Sequence, residues 1–424
     1  MPAFTGGASE LSAPPEAEPP DDAADAPVRL FPLIYMEEGG EVTVGRADID
    51  SYAILPPDGA ALLRQLELGM RPTDAAAWYR AEYGEGVDVA DFLEGIAELG
   101  FIRPPGDLGA ADQAPAAVRW QRLGRIVFSP PVALAWLVLV GAWVVAAVRS
   151  PDLVPTNHDV FFCSSLTLIE LVGFVGQIPL VLLHEACHAL AARKLGLRSS
   201  LSVGRRFYYI VFQTTINGLV GVPRRKRYLP MLAGILCDLA VISAFCLIAG
   251  ANRSADGGFD LAGRICLASA YISALRMFWQ FAFFLETDVY FLVTTMLGCV
   301  DLQRTARQML RARFARALPS LRRPVDPDSW HPRDQAVARW YSWLMIFGYV
   351  SSTAVAVCIA PVAFHAASLL LSRLAHPSRY SAGAVADSVT FTVLSAAQII
   401  LLAVVTWRGR QAARRTGAPQ PVSS

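Results

Sequence analysis

Residues 184–188 read His184-Glu185-Ala186-Cys187-His188. On a helix, positions i and i+4 share a face, so both imidazoles can meet one metal ion while Glu185 leans over its edge. Two neutral nitrogens, a third protein ligand and a fourth position open to water suit zinc. Such a metal lowers the pKa of its bound water to about 7, and an adjacent glutamate can take that proton as the water attacks a carbonyl. The pattern therefore predicts metal-assisted hydrolysis, with His184 and His188 as ligands, Zn2+ as cofactor and Glu185 as general base.

The setting sharpens this reading. The motif lies inside an apolar run, 166–192, long enough to cross a bilayer. Each ionisable side chain in such a span costs about 2.5 kcal/mol or more. Two histidines and a glutamate there need a compensating partner, and a metal supplies it. The plainer alternative is a set of interhelical hydrogen bonds.

Two imidazoles do not complete a catalytic zinc site. The third-ligand candidate is Asp288, in Leu285-Glu286-Thr287-Asp288-Val289-Tyr290, with Glu286 as its competitor. Asp288 also reads as a helix cap where a long apolar run breaks, which is compatible with ligation. Asp238, on the run after the motif, lies at a depth close to that of His184. It is a candidate for the residue that hydrogen-bonds and orients a zinc histidine, or else for an interhelical hydrogen bond. Gly234 would let these helices approach closely. Glu170 lies about 21 Å along the helix from His184, and Arg276 about 18 Å from Asp288, so depth predicts that these two charges pair. The stretch 205–223, rich in aromatic and β-branched residues, reads as a strand or hairpin. Its Thr214, Thr215 and Asn217 are candidates for holding an extended peptide by strand addition. A purely structural hairpin is the alternative.

These residues need a frame to position them. Of 424 residues, 54% are hydrophobic and 17% charged, and the mean hydropathy is +0.39. A soluble domain carries about 25% charged residues, so much of this chain is expected in lipid. Apolar runs fall at 129–148, 166–192, 228–250, 264–297 (too long for one crossing, hence broken), 340–372 and 386–407. With six spans, the arginine clusters at 119–125, 193–198, 224–227, 304–323 and 408–415 all fall on one side, which the positive-inside rule makes cytoplasmic. Both termini would then be cytoplasmic. The stretch 303–323 mixes Met309, Leu310, Phe314 and Leu318 with arginines. It reads as a helix on the anionic leaflet or as a solvated basic linker.

Before the first span, 1–28 reads as a disordered acidic tail, with no basic and apolar segments of a signal peptide. Residues 29–105 read as a small α+β unit. Two strands, 30–35 and 41–45, flank Gly39-Gly40, and helices follow near Pro57, Thr73 and Asp88. Residues 106–118 form a linker, 119–410 the membrane domain and 411–424 a basic tail. The fold class expected is mainly α, a polytopic helical membrane protein preceded by a small α+β winged-helix domain. Six arginines against fourteen carboxylates leave 29–105 at a net −8, which repels phosphate and argues against nucleic acid as a partner. The seven cysteines form no CxxC pair and read as small buried hydrophobes.

His184-Glu185-x-x-His188 in a span, with a downstream aspartate in another, resembles the site-2 protease family of intramembrane zinc metallopeptidases. The likeness is nearest to its peptide zinc metalloprotease branch and covers about 166–300. It implies His184, His188 and Asp288 as ligands and Glu185 as base. Two departures stand out: Val289 follows the aspartate where that family usually has glycine, and Gly234-Ile235-Leu236-Cys237-Asp238 matches only loosely its Gly-Pro-x-x-Asn motif. These bear on substrate positioning more than on metal binding. Residues 29–105 resemble the PqqD-like winged-helix domain, or RiPP recognition element. The carriers are Asp58-Gly59 opening a helix and Val87-Asp88-Val89-Ala90-Asp91-Phe92-Leu93 leading to Leu99-Gly100-Phe101-Ile102. Such domains hold a leader peptide as an added strand. The implied function is a membrane metallopeptidase acting on a peptide or membrane-tethered substrate, in peptide maturation or export. The alternative is a non-proteolytic component that receives or exports a modified peptide.

Overall fold

Pro57, Pro72 and Asp88 each open a helix in the N-terminal part of the computed structural model. The structure describes residues 25–104, 118–206, 209–282, 285–299, 301–314, 330 and 332–415. The expected tails 1–28 and 411–424 and the linker 106–118 lie largely outside these. The chain divides into two units, Met1–Ala114 and Pro115–Ser424.

In the first unit, β1 (Ile34–Glu38), β2 (Glu41–Arg46) and β3 (Ser51–Leu55) form an antiparallel meander in that order. Gly39 and Gly40, at φ 66° and 88°, close the first hairpin with the left-handed backbone that a two-residue turn requires. Three helices follow: α1 (Pro57–Glu67), α2 (Pro72–Tyr83) and α3 (Val89–Glu98). Proline begins the first two, where its missing N–H costs nothing. The Asp88 carboxylate accepts from the Ala90 and Asp91 N–H groups and caps the third. Val42, Val44, Ala60, Leu63, Ile96 and Phe101 form the core between sheet and helices. Two expectations need correction. The first strand begins at Ile34, while Leu30 makes an isolated bridge with Ile102. The strand β3 was not anticipated, because its five residues between an Asp-rich turn and Pro56 show too little alternation.

The second unit is helical. It runs α4 (Gln121–Val127), α5 (Pro130–Arg149), α6 (Leu166–Glu170), a π turn (Leu171–Val175) and α7 (Gln177–Lys194). A two-stranded sheet follows, β4 (Ser199–Arg206) against β5 (Tyr209–Ile216), and then α8 (Arg224–Ala251), α9 (Leu261–Trp279) and α10 (Asp288–Leu297). The chain finishes with α11 (Leu302–Phe314), α12 (Pro332–Ala375) and α13 (Ala382–Arg415). Among the described residues, five helices are long and apolar enough to cross a membrane: Pro130–Arg149, Leu166–Lys194, Arg224–Ala251, Leu261–Trp279 and Ala382–Leu401. They are compatible with a multi-pass membrane protein. No residue of α5 is fully buried, so much of its apolar surface faces away from the protein, which is compatible with a lipid-facing helix. The sixth expected span, 340–372, falls within α12, many of whose central side chains are outside the described residues. The long run 264–297 does break, between α9 and α10.

Small residues bring α7 and α8 together, with Cys187 and Ala191 packed on Ala233 and Cys237. Further along, Ile242, Cys246 and Ala249 of α8 pack on Leu267 and Ala270 of α9. Cys187, Cys237 and Cys246 thus fall among buried packing residues, as the composition suggested. In the described part of 303–323, α11 meets protein on one face. Leu302, Ala306 and Met309 of α11 pack on Ala338, Tyr341 and Met345 of α12, so this apolar face is covered by protein.

Candidate metal centre

The α7 helix presents His184 and His188 one turn apart, 4% and 6% exposed. Each imidazole has its Nδ1 engaged. His188 Nδ1 lies 2.6 Å from the Pro230 carbonyl of α8. A carbonyl only accepts, so the proton sits on Nδ1 and the Nε2 lone pair is free. His184 Nδ1 lies 3.0 Å from Asp238 Oδ2, also on α8, and the same argument frees its Nε2. The α8 helix thus fixes both tautomers that a metal site requires.

The two Nε2 atoms converge at 3.1 Å, and Asp288 Oδ2 stands 3.2 Å from each. These three residues form the one group among the described residues able to hold a metal ion. The triangle has a definite size. Edges of 3.1–3.2 Å are those of a tetrahedral face whose centre lies about 1.9 Å from each atom, close to the Zn–N and Zn–O lengths of about 2.0–2.2 Å. Calcium needs six or more oxygens at longer range and does not fit this donor set. Two lone pairs and a carboxylate oxygen packed together repel one another unless a cation joins them. The arrangement fits a small divalent metal.

Two features of α8 and α10 make it possible. Gly234 faces the imidazoles, and a Cβ there would overlap both His184 and His188. Asp288 is the first residue of α10 after Thr287, itself held by a hydrogen bond from its hydroxyl to the Gln280 carbonyl. The Gln280 side-chain carbonyl accepts from the Asp288 N–H at 3.2 Å. The competitor Glu286 sits at φ 53°, outside the triangle, and pairs with Arg307 at 3.9 Å.

Asp238 is fully buried, and its other oxygen accepts from Arg276 of α9. This overturns the expected Glu170–Arg276 pair. Glu170 instead accepts from Ser395 at 2.9 Å and Gln398 at 2.8 Å, both on α13. Depth was matched, but the two side chains point to different neighbours, and rotation about a helix axis is not contained in a count of residues.

Glu185 is half-buried beside His184, and its carboxylate has no hydrogen bond or ion pair among the described residues. Its backbone carbonyl accepts from Thr214 Oγ1 at 3.0 Å, so β5 is fastened to α7 at the motif. Thr215 lies opposite Ser200 in the β4–β5 ladder. Asn217 falls one residue beyond β5, where its N–H closes the hairpin on the Arg198 carbonyl at 3.1 Å. The hairpin spans 199–216, earlier than the 205–223 expected. The sequence reading missed the Pro230 carbonyl as a histidine partner, since a main-chain acceptor leaves no mark on residue type. It also missed Arg276 as the partner of Asp238, though an arginine in an apolar run was the available signal. In comparisons with known proteins, no family model, no curated protein and no solved structure matches this chain.

Proposed function

We propose that this chain is an intramembrane zinc metallopeptidase similar to the site-2 proteases, hydrolysing a peptide or membrane-tethered substrate in peptide maturation or export. The observation that carries the reading is the triangle of His184 Nε2, His188 Nε2 and Asp288 Oδ2, with an uncommitted Glu185 beside it. In this reading His184, His188 and Asp288 hold Zn2+, Asp238 orients His184, and Glu185 takes a proton as general base. The metal, when bound, supplies Lewis-acid polarisation and a water acidic enough to ionise near neutrality. Glu185 suits the base role because nothing else among the described residues occupies its carboxylate.

A helical substrate hides its amides, so a protease in the bilayer must hold its peptide extended. The β4–β5 hairpin, fastened to α7 by Thr214, is the element placed to add such a strand, with Thr214, Thr215 and Asn217 alongside. The N-terminal unit serves as a peptide-holding domain of the PqqD-like kind. In its order β1-β2-β3, β1 and β3 are the outer strands, the positions at which a leader segment would be added. The positive-inside rule applied to the arginine clusters supports a cell-membrane protein with both termini in the cytoplasm.

The test is metal analysis with peptide cleavage, measured on wild type and Glu185→Gln in lipid nanodiscs using a quenched-fluorescent peptide library. Zinc at one per chain in both, with cleavage lost by at least a hundredfold in the variant, is the expected result. Equal cleavage by the two proteins overturns the role of Glu185. Zinc without cleavage in either favours a non-proteolytic component that receives or exports a modified peptide.

A further inference from the structure

Away from the metal centre, the helical unit contains a cavity of about 540 Å³. Its walls are the short 3-10 helix Asn157–Phe161, the start of α6 and the last turns of α12. That volume lies in the range of about 300–1,000 Å³ usual for small-ligand sites. Leu166, on its wall, stands eighteen residues before His184, about 27 Å along the helix. The cavity is therefore separate from the triad.

Its lining has two chemistries. Leu166, Ile169, Ala366 and Leu369 make an apolar wall, while Asn157, His158, Ser164 and Arg373 supply polar groups. Ala366, Leu369 and Arg373 share one face of α12 at spacings of three and four. Arg373 is the charged member and is only 8% exposed. Its Nη1 donates to Asp387 and its Nη2 to the Ser164 carbonyl, both at 3.3 Å, while its Nε has no partner among the described residues. A guanidinium carries five N–H donors, so this one offers more than the protein uses. The Asp387 carboxylate also accepts from Ser165 Oγ and from the Leu166 and Thr167 N–H groups, so its charge is divided between Arg373 and the start of α6. No carboxylate belongs to the cavity lining among the described residues. A buried cation paired only in part costs stability, and an anion in the cavity would offset that cost.

The surroundings select the kind of anion. Leu166 opens the apolar helix Leu166–Lys194, and Asp387 lies in the second turn of the apolar helix Ala382–Leu401. The cavity thus sits at the end of helices long enough to cross a bilayer, the level at which headgroups meet hydrocarbon. A free phosphate ion would leave the apolar wall uncovered, whereas a phosphate joined to hydrocarbon covers both halves. Asn157, His158 and Ser164 can exchange hydrogen bonds with headgroup hydroxyls, and no lining carboxylate is present to meet a headgroup ammonium.

We propose that this cavity binds the phosphate of an anionic, hydroxyl-bearing membrane lipid. Arg373 meets the phosphate, Leu166, Ile169, Ala366 and Leu369 hold the first carbons of its chains, and Asn157, His158 and Ser164 face the headgroup. Bound there, the lipid joins α12 to the start of the helix Leu166–Lys194 that carries His184 and His188. The site rests on the membrane reading of the helical unit and not on the metal centre.

The test is native mass spectrometry of the full chain, delipidated in detergent and titrated with dioleoyl phosphatidylglycerol, dioleoyl phosphatidylcholine or inorganic phosphate. Phosphatidylglycerol should add at one per chain, about tenfold or more tighter than phosphatidylcholine, and inorganic phosphate should not displace it. Arg373→Gln should abolish that preference. Ala366→Phe fills the apolar half and leaves the Arg373–Asp387 pair in place. It should weaken phosphatidylglycerol by about tenfold or more, with helical circular dichroism unchanged. Leu137→Phe, on the exposed apolar helix α5, is the control for lipid held without a site. Equal affinity for the two lipids overturns the proposal, as does phosphatidylglycerol binding that Ala366→Phe leaves at the control level. Displacement by inorganic phosphate at comparable affinity assigns the cavity to a free anion and overturns the lipid. No readout needs zinc or turnover, so the lipid site and the peptidase reading fail separately.

Discussion

At the scale of single residues, the centre depends on which nitrogen of each histidine is occupied. Pro230 and Asp238 take the Nδ1 protons, and both Nε2 atoms are thereby turned inward. Asp238→Asn keeps the shape but loses the charge shared between His184 and Arg276. We expect metal affinity to fall about 10- to 100-fold, as for other outer partners of metal-bound histidine, read by competition with a chromophoric chelator. Gly234→Ala tests the opposite property, space. Alanine favours helix by about 1 kcal/mol over glycine, so α8 should persist. Its methyl would displace both imidazoles, and bound zinc should drop below a tenth of the wild-type content while helical circular dichroism is unchanged. Retained zinc would show that α8 can move aside. The triad and its competitor illustrate how far residue type goes. Asp288 and Glu286 are two residues apart and chemically alike, and only the backbone at Glu286, turned to φ 53°, separates them.

At the scale of elements, the described helices begin and end where local chemistry dictates. Pro57, Pro72, Asp88 and Asp260 open α1, α2, α3 and α9, and Gly84 and Gly298 close α2 and α10 in the left-handed conformation. These boundaries are legible because each is set within about four residues. Contacts between elements are less so. Tyr79 of α2 donates to the Asp58 carboxylate of α1, which pushes the phenol up to about 12 and holds the carboxyl below its ordinary 3.8. A depressed carboxyl contributes stability above its unfolded pKa and loses it as pH falls through the folded value. Tyr79→Phe should therefore destabilise the N-terminal unit by about 1 kcal/mol at pH 7. The difference from wild type should shrink as pH falls below 3.8 and through the lower folded-state value of Asp58. Urea unfolding of residues 25–104, followed by Trp78 fluorescence across pH, measures both. A difference that persists in acid would assign the effect to packing instead.

At the scale of the whole molecule, an acidic α+β unit and a helical unit with five apolar helices share one chain. A metal held by the His184–His188–Asp288 group would tie together α7 and α10, elements that a hundred residues separate in sequence. A ligand that binds only the folded state stabilises it by RT ln(1 + [L]/Kd), about 4 kcal/mol at a thousandfold excess over Kd. Stripping the metal with 1,10-phenanthroline should therefore lower the unfolding temperature of the helical unit by several degrees and restore it on adding zinc. The unit at residues 25–104 should not respond. Calorimetry of the full chain in detergent reads the two transitions, and an unchanged upper transition would argue against a structural metal.

Composition, periodicity and the spacing of charged residues were enough to place the helices along the chain and to single out His184, Glu185, His188, Asp238 and Asp288. Each of these features is local, and a rise of about 1.5 Å per residue even converts position into depth. What depth leaves open is azimuth. The rotation of each helix about its axis is set by how small residues such as Gly234 and Ala233 let neighbours approach, and that belongs to packing. For this reason Arg276 meets Asp238 and not Glu170, α11 packs its apolar face on α12, and Asp288 joins the histidines while Glu286 turns to Arg307. The tertiary structure alone selected the partners, because a side chain's direction is decided by the surface it is packed against.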